Sequence, residues 1–307
     1  MRPTSLAFAF LSLLATTGRA DVTLRQSFNL TSTVIPQQAW DAMKQFVTFP
    51  MEMTTRVKGD HAYATFGSTV SLVDLTKNQL TLLDTKNRKF AIVPMDQYVT
   101  RLRDAQKTPE MPPEVAQMFA AMKLDVKTRA TGRTETIRGI PTDENETTLT
   151  LEMPMPGQAT TMQMVLTLQT WSPKPDEIQK SPALREIFAY QQQSKSAMDP
   201  SAFLKQMFAN MPGLGDKLSG PIEQLTKNTG MLLKMRGQLS VPAMAAALPP
   251  GTPSGPALEL TMDVLDLSSD SVPEALLRVP EGYEAAPLED LMKGFGLAMP
   301  PPPQVKQ

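Results

Sequence analysis

Hydrophobic and polar residues along this chain change period several times, and the changes divide it into elements. From Asp21 to Phe28 apolar positions alternate loosely, as in a strand, and after Pro36 the residues Ala39, Trp40, Met43, Phe46 and Val47 fall at helical spacing. Two strand-like runs, Met51 to Lys58 and Ala62 to Phe66, flank the turn residues Gly59-Asp60-His61 and predict a hairpin. Three more runs follow, Thr69 to Asp74, Gln79 to Asp84 and Lys89 to Val93, separated by polar turns containing Thr76-Lys77-Asn78 and Thr85-Lys86-Asn87-Arg88. Together these predict a meander.

From Met95 the spacing becomes helical through Tyr98, Val99 and Leu102, and Val115, Met118, Phe119 and Met122 form a second stripe. Strands resume over Asp125 to Glu135, Thr147 to Met153 and Thr160 to Trp171. In the last run Met162, Met164, Leu166 and Leu168 share one face while Gln163, Thr167 and Gln169 take the other. That alternation predicts an antiparallel sheet with one covered side. Ser181-Pro182 and Asp199-Pro200 each place a capping side chain before a first-turn proline, so two helices are expected there. The second carries Phe203, Leu204, Met207, Phe208 and Met211 on one stripe, and a short helix is expected from Pro221. Two long strands, Met231 to Val241 and Ala257 to Leu267, close the pattern, with a loop rich in Pro and Gly from Pro242 to Pro256 between them. The expected fold is α+β: a curved antiparallel sheet of about eleven strands, a half-barrel, with amphipathic helices packed on its concave face.

The first twenty residues, with Arg2 before an apolar run from Leu6 to Ala15 and small residues at Gly18 and Ala20, have the form of an export signal cleaved after Ala20. The expected organisation is a signal peptide over 1–20, one domain over 21–298 and a proline-rich tail over 299–307. No cysteine occurs in the 307 residues, which excludes a disulfide framework and a lipid-anchored amino terminus and points to a periplasmic or secreted protein. Cleavage leaves 28 basic against 31 acidic residues, a net charge of −3, which gives no electrostatic footprint for nucleic acid. No later stretch approaches the roughly 20 apolar residues that span a bilayer, so no transmembrane segment is expected in the mature form.

Catalytic chemistry finds little support. His61 is the only histidine and sits in the Gly59-Asp60-His61 turn, where a polar residue needs no further reason. With no second histidine and no cysteine, a Ser-His-Asp, Cys-His or His-rich zinc site would have to be built around this one turn residue. The acidic groups Asp143-Glu144-Glu146, Asp263 with Asp266 and Asp270, and Glu289-Asp290 read as a solvated hairpin loop, a polar strand side and a helix start. The chain is therefore expected not to be an enzyme and to need no cofactor. Methionine is abundant, with 21 residues, and Met51-x-Met53, Met153-x-Met155 and Met162-x-Met164 have the spacing of strand-borne thioether pairs that bind Cu(I). A half-buried strand with Met in place of Leu gives the same spacing, and Leu166 and Leu168 extend the row without sulfur, so packing is the reading taken.

Four segments carry a family resemblance: VKGDHAYATFG at 57–67, LVDLTKNQLTLLDTKNRKFAIVPM at 72–95, QTWSP at 169–173 and VPEGYEAAP at 279–287. In these the chain resembles a family of exported bacterial proteins with a LolA-like half-barrel, the fold of periplasmic lipoprotein carriers. The resemblance implies a cavity between sheet and helices that holds acyl chains of a lipid or lipoprotein. No arginine here matches the lid-controlling arginine of the carriers, so delivery to an outer-membrane acceptor is not implied. The expected activity is binding of a lipid-like ligand in an apolar cavity lined by Met162, Met164, Leu166, Leu233, Met235, Leu258, Leu260 and Met262. The alternative is an envelope interaction or sensor module whose core is filled by its own helices.

Overall fold

The computed structural model describes residues 21–32, 49–67, 69–106, 117, 121–154, 161–197, 231–242 and 255–294. The stripes at 39–47, 115–119 and 203–211, the short helix from Pro221, the first twenty residues and the tail lie wholly or largely outside them.

A single open, curved sheet dominates the described residues. Its strands are β1 (Val22–Ser32), β2 (Met51–Lys58), β3 (His61–Phe66), β4 (Thr69–Asp74), β5 (Gln79–Asp84), β6 (Lys89–Pro94), β7 (Lys123–Ile137), β8 (Ile140–Pro154), β9 (Thr161–Pro173), β10 (Lys234–Ser240), β11 (Leu258–Ser268) and β12 (Glu284–Ala285). They lie in the order β12-β6-β5-β4-β3-β2-β1-β11-β10-β9-β8-β7. Every pairing is antiparallel except that of β12 with β6. The eleven strands expected from the pattern are present, and the two-residue β12, too short to show a period, is the twelfth.

Turn chemistry sets the register. β7 and β8 meet through Arg138-Gly139, both at positive φ (51° and 79°), the backbone of a tight two-residue hairpin whose twist matches the strands it joins. The four-residue turns after β4 and β5 end on Asn78 and Arg88, also left-handed. In each, the preceding aspartate accepts the turn's amides: Asp74 from Lys77 N, Asp84 from Lys86 N and Asn87 N. β8 runs further back than its apolar pattern predicts, because Asp143 to Glu146 form ladder residues between β7 and β9 rather than a loop.

Among the described residues four α-helical elements accompany the sheet: α1 (Met95–Gln106), α2 (Pro175–Lys180), α3 (Pro182–Ala197) and α4 (Leu288–Gly294). Ser181 starts α3 as expected, its Oγ accepting the Leu184 amide. Ala183, Leu184 and Ile187 of α3 belong to one buried cluster with Val22, Leu24, Val57, Leu233 and Val264 of the sheet. Met95 of α1 and Leu288 and Leu291 of α4 join the same cluster beside Leu80, Leu82, Ala91 and Val93. A smaller cluster on the opposite face unites Val70, Leu72 and Leu83 with Val279 and Tyr283 from the segment that follows β11. Covered on both sides, β5 reads QLTLLD and is buried from Leu80 to Asp84, whereas strands covered once alternate.

Candidate functional site

Cross-strand register assigns each residue to a face, since directly paired residues point the same way. On β9, Met162, Met164, Leu166 and Leu168 oppose Met153, Leu151, Leu149 and Thr147 of β8. On the other flank Leu166 and Leu168 oppose Leu239 and Gly237 of β10, which in turn oppose Leu258 and Leu260 of β11. Met235 opposes Met262, and Met262 opposes Phe28 of β1. Seven of the eight residues expected to line a cavity therefore lie on one face, in adjoining rows. The eighth, Leu233, just precedes β10 and is fully buried in the main cluster, where Val264 N donates to its carbonyl.

This face divides by depth. Towards Val22, Leu24 and Val57 it packs against α3, and over β5 and β6 against α1 and α4. Towards the other strand ends Met162, Met164, Leu166, Met235, Leu258 and Leu260 are only half-buried, and Met262 is buried. Phe28 and Phe66 meet edge to face at 6.4 Å in this half, with Phe66 exposed. Gly237 lies between leucines: a Cβ there would stand 3.1 Å from Leu168 Cδ2 and 3.6 Å from Leu260 Cβ. Its missing side chain lets the two leucines close over the strand. The buried Gln26 donates its amide to Met262 Sδ at 3.3 Å, a polar group satisfied by a thioether.

Over β7–β10 the opposite face is polar and ion-paired. Trp171, Lys234 and Glu135 form a stack in which Lys234 Nζ sits 4.6 Å from the indole centre and 2.7 Å from a Glu135 oxygen. Next to it the buried Glu144 takes a charge-assisted bond from Arg133, and Glu146 accepts from Arg129 at 2.6 Å, which holds the Glu146 carboxyl below its ordinary value. Sequence reading missed this network, because its partners come from different strands. Further along, a cleft of about 500 Å³ opens between β3–β5 and the short 3-10 helix Glu274–Leu277, lined by Lys58, His61, Asp74, Lys77, Thr81 and Arg278 among others. Its charges are largely mutually paired: Lys77 to Asp74 at 2.8 Å, Arg278 to Glu274 at 3.5 Å and Lys58 to Glu274 at 3.9 Å. Burial alone would raise the Asp74 carboxyl, but bonds from Lys77 and Thr76 and the nearby His61 outweigh it and hold the group down at about 2. The cleft lies on the far side of the sheet from the apolar rows.

No helix among the described residues is long and apolar enough to cross a membrane. Nor do three His, Cys, Asp or Glu side chains come together among the described residues as a metal set.

No family model matches the chain, and no curated protein matches it. Among solved structures, one of PNGF-II is similar with a TM-score of 0.31 at 7% identity, over 90% of this chain and 33% of that one. This chain thus spans about a third of that protein's length.

Proposed function

We propose that this is an exported binding protein that accommodates an acyl chain or similar lipid-like ligand against the apolar rows of β8–β11. In this reading residues 1–20 are a cleaved signal, 21–298 form one LolA-like half-barrel with helices on its concave face, and the protein acts in the periplasm or outside the cell. The observation that carries it is the shared face of Met162, Met164, Leu166, Met235, Leu258, Leu260 and Met262, six of them half-buried. Binding would cover apolar surface worth about 25 cal/mol per Å², and flexible thioethers adapt to chains of differing shape. Native mass spectrometry of protein purified from its own envelope should show a bound acyl species. Recovery of ligand-free protein that also takes up no fatty acid from detergent-free solution defeats the reading.

A second reading draws support from α3, whose Leu184 and Ile187 already fill one half of the same face. In that case the core is self-filled, and the protein works as an interaction or sensor module through its exposed sheet or the 299–307 tail. Pull-downs with and without that tail test this reading: specific partners captured by either form support the module, their loss without the tail assigns them to it, and capture of none by either form counts against it.

A further inference from the structure

The three methionine pairs singled out in the sequence do not have equivalent surroundings. Met51 and Met53 oppose Phe28 and Gln26 on β1, so an aromatic ring and an amide stand beside them. Met155, the second member of another pair, lies outside the described residues. Met162 and Met164 differ, because Met162 directly opposes Met153 on β8. Opposed residues in an antiparallel pair have Cα atoms about 5 Å apart, and residues two apart on a strand about 7 Å. Three thioethers thus project from one patch of one face, within the mutual reach of unbranched side chains that turn about three bonds.

We propose that Met153, Met162 and Met164 form a binding site for a soft monovalent cation, Cu(I) or Ag(I). Thioether sulfur is a soft donor that selects such ions over Mg(II), Ca(II) or Zn(II). Among the described residues, the neighbours that the ladders place on this face, Leu124, Leu149, Leu151 and Leu166, supply no oxygen or nitrogen side-chain donor to favour a harder ion. Of the polar residues adjacent in sequence, Glu152 and Gln163 pair with each other on the opposite face, and Thr161 shares their parity. Met162 and Met164 are half-buried and Met153 is 7% exposed, so the patch is partly shielded from water. The site shares Met162 and Met164 with the proposed lipid-binding face, but its test reads ion binding alone and stands or falls without any lipid.

The test uses the full chain with carbon-13 in its methionine methyls, titrated with Ag(I), and with Cu(I) against a competing chelator. One equivalent should bind at micromolar affinity or tighter, shifting the methyls of Met153, Met162 and Met164. The variant M162L/M164L should lose at least tenfold in affinity, while M51L/M53L keeps it. Leucine conserves volume and apolarity, and the single variant M153L provides a second reading should the double variant fold poorly. Absence of binding at micromolar ion, shifts confined to other methionines, or undiminished affinity in M162L/M164L or M153L would each overturn the site.

Discussion

Asp74 closes the turn between β4 and β5 by accepting from Thr76 Oγ1 at 2.6 Å, Lys77 N at 3.1 Å and Lys77 Nζ at 2.8 Å, with its side chain 15% exposed. Those bonds favour the carboxylate and depress its pKa from 3.8 to about 2. A group depressed on folding stabilises the folded state above its unfolded pKa and loses that contribution as pH falls through the folded value. At about 1.4 kcal/mol per pKa unit, the carboxylate contributes about 2 kcal/mol near neutrality. Urea melts of the wild type and D74N should differ by about that amount near neutral pH and converge between about pH 4 and 2. A constant difference across that range contradicts the assignment. Arg88 presents the opposite case: its φ of 52° suits Asn or Gly better than a long side chain. R88N should therefore raise stability by about 0.5 to 1 kcal/mol in thermal melts, with no effect on ligand uptake.

At the scale of elements, α3 is held to β1 by Leu184 and Ile187, which are 0% and 1% exposed. L184A should cost about 2 to 5 kcal/mol, measured by denaturant midpoint, because the sheet beneath cannot follow the lost atoms. Gly237 predicts the reverse strain. G237V drives a branched side chain into Leu168 and should cost about 1 to 3 kcal/mol, with part recovered in G237V/L168A. The strands that period revealed were those with one apolar row, such as β9 and β11, where burial on one side and water on the other print alternation into the sequence. The start of β8, Ile140-Pro141-Thr142-Asp143-Glu144-Asn145-Glu146, carries polar residues on both parities and reads as a loop. It is a strand because β7 and β9 take its backbone bonds and Arg133, on the neighbouring strand, neutralises the buried Glu144. Nothing local to those seven residues announces that partner. α2 is likewise hidden, since six residues do not complete two turns.

Over the whole molecule, the sheet has two unlike sides: one continuous, sulfur-rich and apolar, the other laced with ion pairs and indented by the Lys58–Asp74–Arg278 cleft. Strand parity made the apolar side legible residue by residue, because a single-residue slip anywhere would have sent a row to the other face. The cleft was not legible, since its walls come from β3–β5 and from a segment some two hundred residues later, joined only by folding. In the proposed function the ligand lies on the apolar side. Methyl NMR with a spin-labelled fatty acid tests it most directly. The label should broaden the methyl signals of Met162, Met164, Leu166, Met235, Leu258 and Leu260 and leave those of Val70, Leu72 and Leu83 on the opposite face sharp; broadening of the second set alone, or of neither, rules that placement out.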